Sequence, residues 1–338
     1  MKGAANIPVL VGGVLFVLLA LLTSDASVLP ALLLVTAVVQ GLFALAAAAH
    51  LAEGRWILPA RGTIFSLHPL MLWFPVAFLA FSTNLSIYGW TEHHTVWLSP
   101  AFFVARNVIM LLVTWALAFG FAKAASCGSE RASLLAVLYA FAFVLNQSLL
   151  AFDWVMSFDY PWISTLFGGY FFIEAMFGAL AVLSLLGMRL MAQGKAERGK
   201  TFLDTSTFMF GWSLLWAGQL FAQFLVIWYG NIPEEQLFLV RRLVDAPLRE
   251  MAICVPIFLF VIPFTVLLSR KAKSSNLVMT ILAALVFTGI FIERLLFLIP
   301  VAHMNPFVVV LALVALAGPL AWMVKQGADE ESGAVEAV

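Results

Sequence analysis

Charge is the scarcest property of this 338-residue sequence. Asp, Glu, Lys and Arg make up 11% of it, against about 25% in an ordinary soluble domain. Eighteen basic and eighteen acidic side chains cannot coat a soluble fold of this size. A soluble enzyme, a secreted disulfide scaffold and a nucleic-acid binder are therefore excluded. Cysteine is nearly absent as well. Cys127 and Cys254 stand alone, with no CxxC, CxxCH or Cys/His cluster, so no motif here holds a metal, an iron–sulfur cluster or a covalent haem. Long polar stretches are also missing. No loop suffices for a catalytic module, so the electron carriers of any redox process would sit on other subunits.

What is present is apolar. Hydrophobic residues make 63% of the chain, and the mean hydropathy is +1.03. A membrane-crossing helix needs about 20 mostly apolar residues. Ten candidates occur, at 7–22, 29–51, 68–90, 100–124, 130–152, 162–189, 204–229, 247–269, 276–299 and 305–325. The expectation is an all-α polytopic membrane protein with one transmembrane domain over 1–325. Residues 29–152 form a first helix bundle and 162–299 a second, with 7–22 and 305–325 as flanking helices. The Gly-, Ala- and Glu-rich tail 326–338 is expected to be disordered and cytoplasmic. The first helix has one Lys before it and no small-residue cleavage site after Leu22, and reads as retained. Pro30, Pro100, Pro161, Pro247 and Pro306 fall near first turns, where a missing N–H costs nothing. Pro75, Pro256, Pro263 and Pro319 lie inside spans and should kink them.

The connections differ in sign. Lys2, Arg55, Arg61, Lys123, Arg131, Arg189, Lys195, Arg198, Lys200, Arg270, Lys271, Lys273 and Lys325 fall on the odd ones. Asp25, Glu92, Asp153, Asp159, Glu234, Glu235, Asp245 and Glu250 fall on the even ones. The positive-inside rule then places both termini in the cytoplasm. Arg241, Arg242 and Arg249 break the pattern in the long loop 230–246. Its stretch Glu234–Val244 alternates charged and apolar residues, as in a helix lying along the outer interface. The endings of spans three (Ile87-Tyr88-Gly89-Trp90) and seven (Trp228-Tyr229-Gly230) echo each other, as two related bundles would.

Ionisable groups within spans are functional candidates by default. Glu174 stands near the middle of span six among Phe171, Phe172, Met176 and Phe177, with no counter-charge beside it. It suits a proton relay or a hydrogen-bonded neutral carboxyl. Asp204 heads span seven as a helix cap or the entrance of a proton path, with Thr205 and Thr207 leading inward. The outer half offers Asn84, Arg106, Gln219 and Gln223, the last two four residues apart on one helix face. Arg106 needs a carboxylate or carbonyl partner, with Asp153 and Glu293 at similar depth. Asp153, Asp159, Arg241, Glu234, Glu235, Glu293 and Arg294 are read as an outer polar network or partner-docking rim. The functional alternative is a wet half-channel or a quinone headgroup pocket. His50 and His68 sit at helix ends, so haem ligation is disfavoured.

Two strings are more specific. One is Asp153-Trp-Val-Met-Ser-Phe-Asp159-Tyr160-Pro161-Trp162-Ile-Ser-Thr-Leu-Phe-Gly168-Gly169-Tyr170. The other is Gln223-Phe-Leu-Val-Ile-Trp228-Tyr229-Gly230-Asn231-Ile232-Pro233-Glu234-Glu235. Both resemble the ActF-type membrane subunit of alternative complex III, a bacterial quinol:electron-acceptor oxidoreductase. That subunit is similar to the NrfD and polysulfide-reductase membrane subunits. The resemblance spans roughly residues 65–325, and Asp204 and the Arg270-Lys271-Ala272-Lys273 turn fit it.

The resemblance implies a multi-pass subunit of the bacterial inner membrane beside a paralogous ten-helix subunit. An iron–sulfur protein and multihaem cytochrome c subunits would lie on the outer side, carrying the iron–sulfur clusters and haem c. A quinone or quinol is the implied ligand, although the paralogue is the stronger candidate for quinol oxidation. For this chain the family suggests quinone binding, proton conduction or a structural role. Residues 153–162 then read as an acidic turn with Trp154, Tyr160, Trp162, Trp228 and Tyr229 as an interfacial aromatic belt. Two rivals come from other classes: a standalone secondary transporter, which usually shows matched Gly/Pro-broken helices, and a scaffold without proton or quinone chemistry.

Overall fold

The computed structural model describes residues 7–93, 95–191 and 196–336. Lys2, His94 and Lys195, and the side chains of Arg198 and Lys200, lie outside the described residues. Every regular element described is helical: α1 Ile7–Leu22, α2 Leu29–Leu51, α3 Leu58–Ser66, α4 His68–Met71, α5 Trp73–Phe81, α6 Pro100–Ser126, α7 Arg131–Leu150 and α8 Leu166–Met191 come first. Then follow α9 Ala196–Gly230, α10 Pro233–Leu243, α11 Leu248–Pro256, α12 Ile262–Leu267, α13 Arg270–Lys273, α14 Asn276–Leu298 and α15 Pro306–Glu336. Among the described residues, 9 helical segments are long and apolar enough to cross a membrane. The tenth, α1, has 16 residues, about 24 Å at 1.5 Å per residue, and falls short of the ~30 Å hydrocarbon layer. The chain is an all-α, polytopic membrane protein.

Helix α2 is apolar on every side, which suits a helix enclosed by others. Its apolar window is 94% buried, against 17% for α9 and 22% for α11–α12. Helices α7, α8, α14 and α15 surround α2. Gly41 permits the close α2–α8 crossing, since a Cβ there would stand 2.4 Å from the Ala175 carbonyl oxygen. Small residues at such crossings let backbones approach where water supplies no driving force. Helices α9 and α11, and the segment between α11 and α12, turn Phe221, Leu225, Val226, Ile253 and Val261 outward, an apolar surface suited to lipid.

The connections gather at two ends. At one, the Ala26 N–H donates to the His303 carbonyl at 3.2 Å, and the Asn305 N–H donates to Ser27 Oγ at 2.7 Å. At the other, here called the basic end, Ser206 Oγ donates to the Lys273 carbonyl at 3.1 Å. Arg189 clasps Asp329 there with an Nη2–Oδ1 distance of 2.7 Å.

Several segments depart from the sequence-based expectation. The third span breaks into α4, α5 and a 3-10 stretch, Ser82–Ile87, inside which Asn84 leaves helical geometry (φ −126°, ψ 53°). Helix α3 lies in the connection between the second and third spans. Helix α9 begins at Ala196, so Asp204 lies two turns inside it and is no N-cap. Helix α15 continues to Glu336, where a disordered tail was expected; Ala and Glu favour helix, and residues 337–338 lie outside the described part. Among the described residues, two π-helical segments occur, Ala151–Val155 and Ile257–Val261. The second sits between Pro256 and Pro263, where missing N–H donors break the regular ladder. The expected helix in 234–244 forms as α10. The echo between spans three and seven does not extend to environment: Tyr88 and Trp90 are buried, while Trp228 and Tyr229 are exposed.

Candidate functional site

Three charged clusters are buried in the bundle, and they differ in how completely they are satisfied. The first joins α6 to the π segment after α7. Arg106 donates from Nε to Asp153 Oδ2 at 2.7 Å and from Nη2 to Oδ1 at 2.8 Å, a bidentate pair. Its Nη1 donates to the Trp97 carbonyl at 2.5 Å. Asn107 Nδ2 adds a bond to Asp153 Oδ2 at 2.6 Å, and Trp154 Nε1 donates to Asn107 Oδ1 at 2.8 Å. The π segment inserts an extra residue per turn and re-aims Asp153 at Arg106, a common use of such bulges. Asp153 is therefore the partner of Arg106, and Glu293 is not.

The second cluster pins α10. Asp159 Oδ2 accepts from Arg242 Nη2 at 2.5 Å and Oδ1 from Arg241 Nη1 at 3.1 Å. Arg242 also donates to the carbonyls of Leu296, Phe238 and Phe297 at 3.1, 2.8 and 2.8 Å. Its guanidinium lies 3.8 Å from the Phe238 ring centroid. Burial pulls the Arg242 guanidinium below its ordinary value and Asp159 pushes it back up; a guanidinium stays charged in either case. Arg242, rather than Arg241, is the buried partner. The signal was the i, i+4 pair Phe238/Arg242 on one face of an amphipathic helix.

The third cluster lies within the second bundle. Arg294 Nη2 stands 2.6 Å from Glu174 Oε2, an ion-pair distance without hydrogen-bond alignment. Arg294 Cζ lies 3.8 Å from the Phe171 ring centroid. Glu293, next in sequence, accepts a hydrogen bond at Oε1 from the Tyr170 hydroxyl. Tyr170 and Glu174 stand one turn apart on α8, and Glu293 and Arg294 are adjacent on α14, so the Tyr170–Glu293 and Glu174–Arg294 contacts bring both carboxyl groups into one cluster. All four side chains are buried. Arg294 Nε and Nη1 and Glu293 Oε2 have no hydrogen-bond partner among the described residues. The counter-charge absent around Glu174 in sequence comes from α14. Tyr170, one turn before Glu174, was missed although the i, i+4 spacing places both on one face.

Beside this triad is a cavity of about 420 Å³, walled by α8, α9, α10, α11 and α14. Phe167, Trp216, Leu220, Phe221, Phe224, Phe238 and Phe297 make it apolar and aromatic, while Tyr170, Glu293, Arg242 and Gln223 supply its polar groups. Phe221 and Phe224 belong to this wall and are themselves exposed, so the cavity opens on the apolar outer face. Gln223 Oε1 accepts from Ser164 Oγ at 2.5 Å. Its size and its few convergent polar groups are those of a small-molecule site.

The remaining candidates disperse. Thr207 is exposed and its hydroxyl donates to its own helix at Leu203 O, 2.9 Å away, so it cannot lead from Asp204 toward Glu174. Asp204 is half-buried and Thr205 buried near the basic end. Asn84 and Arg106 belong to the first bundle, away from the triad. Gln219 is half-buried with Oε1 unpartnered, and it is not in the cavity wall. Glu234 is exposed and Glu235 half-buried in the first turn of α10, where the helix dipole favours them. Trp154 and Trp162 are buried, so only Tyr160, Trp228 and Tyr229 of the expected belt face outward. The intramembrane amides Asn146 and Gln147 of α7 meet at Gln40, which sequence reasoning missed: Gln40 Oε1 accepts from Asn146 Nδ2 at 2.9 Å and Gln147 Nε2 at 2.8 Å. Comparison with known protein families and with curated proteins returns no match to this sequence.

Proposed function

We propose that this chain is an integral membrane subunit of a quinol-oxidising complex of the alternative complex III class, and that it binds a quinone-type headgroup in the cavity beside Glu293. The observation that carries this reading is the aromatic cavity of about 420 Å³ whose polar wall is Glu293 and Tyr170. A quinol is an aromatic diol on an apolar tail. Phe221 and Phe224 offer the tail an entry from lipid, and the Phe and Trp walls offer stacking surfaces. Glu293 Oε2, which makes no hydrogen bond among the described residues, accepts a hydroxyl proton when Glu293 is ionised.

The charge count supports proton handling. Two carboxyl groups face one guanidinium in a site away from water, where an uncompensated charge is expensive. The pair Glu174–Glu293 balances Arg294 when it holds one proton between its two carboxyls, and it stands ready to take or release another. One hydroxyl proton lost by a quinol passes to this pair, which releases it before taking the second. The two electrons leave to the iron–sulfur and haem carriers of neighbouring subunits, with the paralogous membrane subunit completing the complex. The resemblance of the two strings supports a position in the bacterial inner membrane, and the basic residues on the odd connections support cytoplasmic termini.

A photoreactive short-chain quinone added to the purified protein tests this. Adducts are expected on residues 216–243, and Glu293→Gln should weaken binding by about 10- to 100-fold, the worth of one charge-assisted hydrogen bond. Labelling spread over the lipid-facing surface and insensitive to Glu293→Gln would overturn the reading.

A further inference from the structure

A second cavity, about 490 Å³, lies on the other side of the bundle. It is a trough between α8, α14 and α15 lined by Leu186, Phe287, Phe291, Leu313 and Leu320, and its lining includes two cations, Arg189 and Lys325. Both stand where their helices leave the apolar region: the spans end at Arg189 and Gly327. Along α15 the lining runs from Leu313 to Lys325, about 18 Å at 1.5 Å per residue. That is close to one leaflet of a ~30 Å hydrocarbon layer. An apolar trough one leaflet long with paired cations at its end matches one chemistry, an acyl chain carrying an anionic headgroup.

We propose that this trough is a binding site for one anionic phospholipid, with an acyl chain against Phe287 and Phe291 and the phosphate between Arg189 and Lys325. Basic pockets between membrane helices hold anionic headgroups in this way. Arg189 is paired with Asp329, Nε and Nη2 donating to Oδ1 at 3.1 and 2.7 Å and Nη2 to Oδ2 at 3.0 Å. Both side chains are substantially exposed, at 39% and 52%, and an exposed ion pair contributes little. A phosphate that also engages Lys325 therefore competes with Asp329 for the guanidinium.

Native mass spectrometry decides this, using the purified protein in micelles doped equally with phosphatidylglycerol and phosphatidylcholine of identical chains. Phosphatidylglycerol should be retained about tenfold better. Arg189→Gln with Lys325→Gln should bring the two lipids to parity, while Lys271→Gln with Lys273→Gln should leave the preference intact. Asp329→Asn, which removes the competing carboxylate, should raise retention, and it decides the matter if the double variant does not fold. Excess inorganic phosphate should not displace the lipid. The proposal is overturned by parity in the unaltered protein, by equal loss in both double variants, by no rise with Asp329→Asn, or by displacement with phosphate alone.

Discussion

Arg106–Asp153 in the first bundle and Glu174–Arg294–Glu293 in the second use the same functional groups to opposite effect. Arg106 places all three nitrogens in hydrogen bonds, and Asp153 accepts at both oxygens. Arg294 has one close carboxylate neighbour and two nitrogens without a partner. A buried polar network that is fully satisfied rigidifies its surroundings, whereas one left open keeps capacity for a ligand, water or proton. The first pair therefore acts as a pin between α6 and the π segment after α7. The triad is the less satisfied of the two, and its Glu293 borders the aromatic cavity. Charge balance separates them too: the first cluster holds one cation and one carboxylate, the second one cation and two carboxyls.

Breaking the pin should have the largest effect. Arg106→Met or Asp153→Leu alone leaves a buried, unpaired charge and should cost about 3–5 kcal/mol, with loss of folded protein in detergent. Combining the two should recover much of that loss, because apolar partners need no compensation. Thermal unfolding of the three variants checks the order. If the double variant is no better than either single one, Asp153 serves something other than Arg106.

Asp159 gives an intermediate case. Its removal leaves Arg242 with three carbonyl acceptors and the Phe238 ring, so the charge is poorly balanced but still solvated by dipoles. Asp159→Ala should cost about 1–3 kcal/mol, the range for an interrupted buried hydrogen-bonding partner. It should loosen α10 before it unfolds the bundle. Faster proteolysis within 233–243, with the helical circular dichroism signal retained, is the expected reading. Global unfolding at the same temperature as for Asp153→Leu would place α10 in the core of the fold.

How much of this was readable beforehand follows from range. Helix count and the enclosed position of α2 are local properties, written in runs such as Leu29–Leu51 that are apolar on all sides. The charged residues of the triad were also visible, because any Glu or Arg inside a span stands out. Their grouping was not. Glu174 and Arg294 lie on different helices far apart in sequence, and no local pattern encodes the contact. Thr207 misled for a related reason. A helix places a residue by its rotation, and α9, largely unburied, offers no strong apolar face to fix that rotation from sequence. The π segment at Ala151–Val155 leaves no composition signal, yet it decides where Asp153 points.

The smallest expected change in stability comes from the triad, and it carries the most information about function. Glu174→Gln leaves one carboxyl, Glu293, opposite one guanidinium, so the count becomes even without a shared proton. The amide keeps the shape and still donates or accepts hydrogen bonds. Stability should therefore change by less than about 1 kcal/mol, within the range of substitutions that leave no buried charge unpaired. Glu293→Gln should behave similarly in stability. The double change Glu174→Gln with Glu293→Gln strands Arg294 and should cost about 3–5 kcal/mol, as for the broken pin. This non-additivity separates a proton-sharing pair from two independent residues. Proton movement should respond oppositely. On the function proposed above, Glu174→Gln alone should lower the protons moved per electron in sealed vesicles holding that complex, while assembly stays normal. An unchanged ratio, with additive stability losses, would make Glu174 a structural hydrogen-bonding group and leave Glu293 alone at the cavity wall.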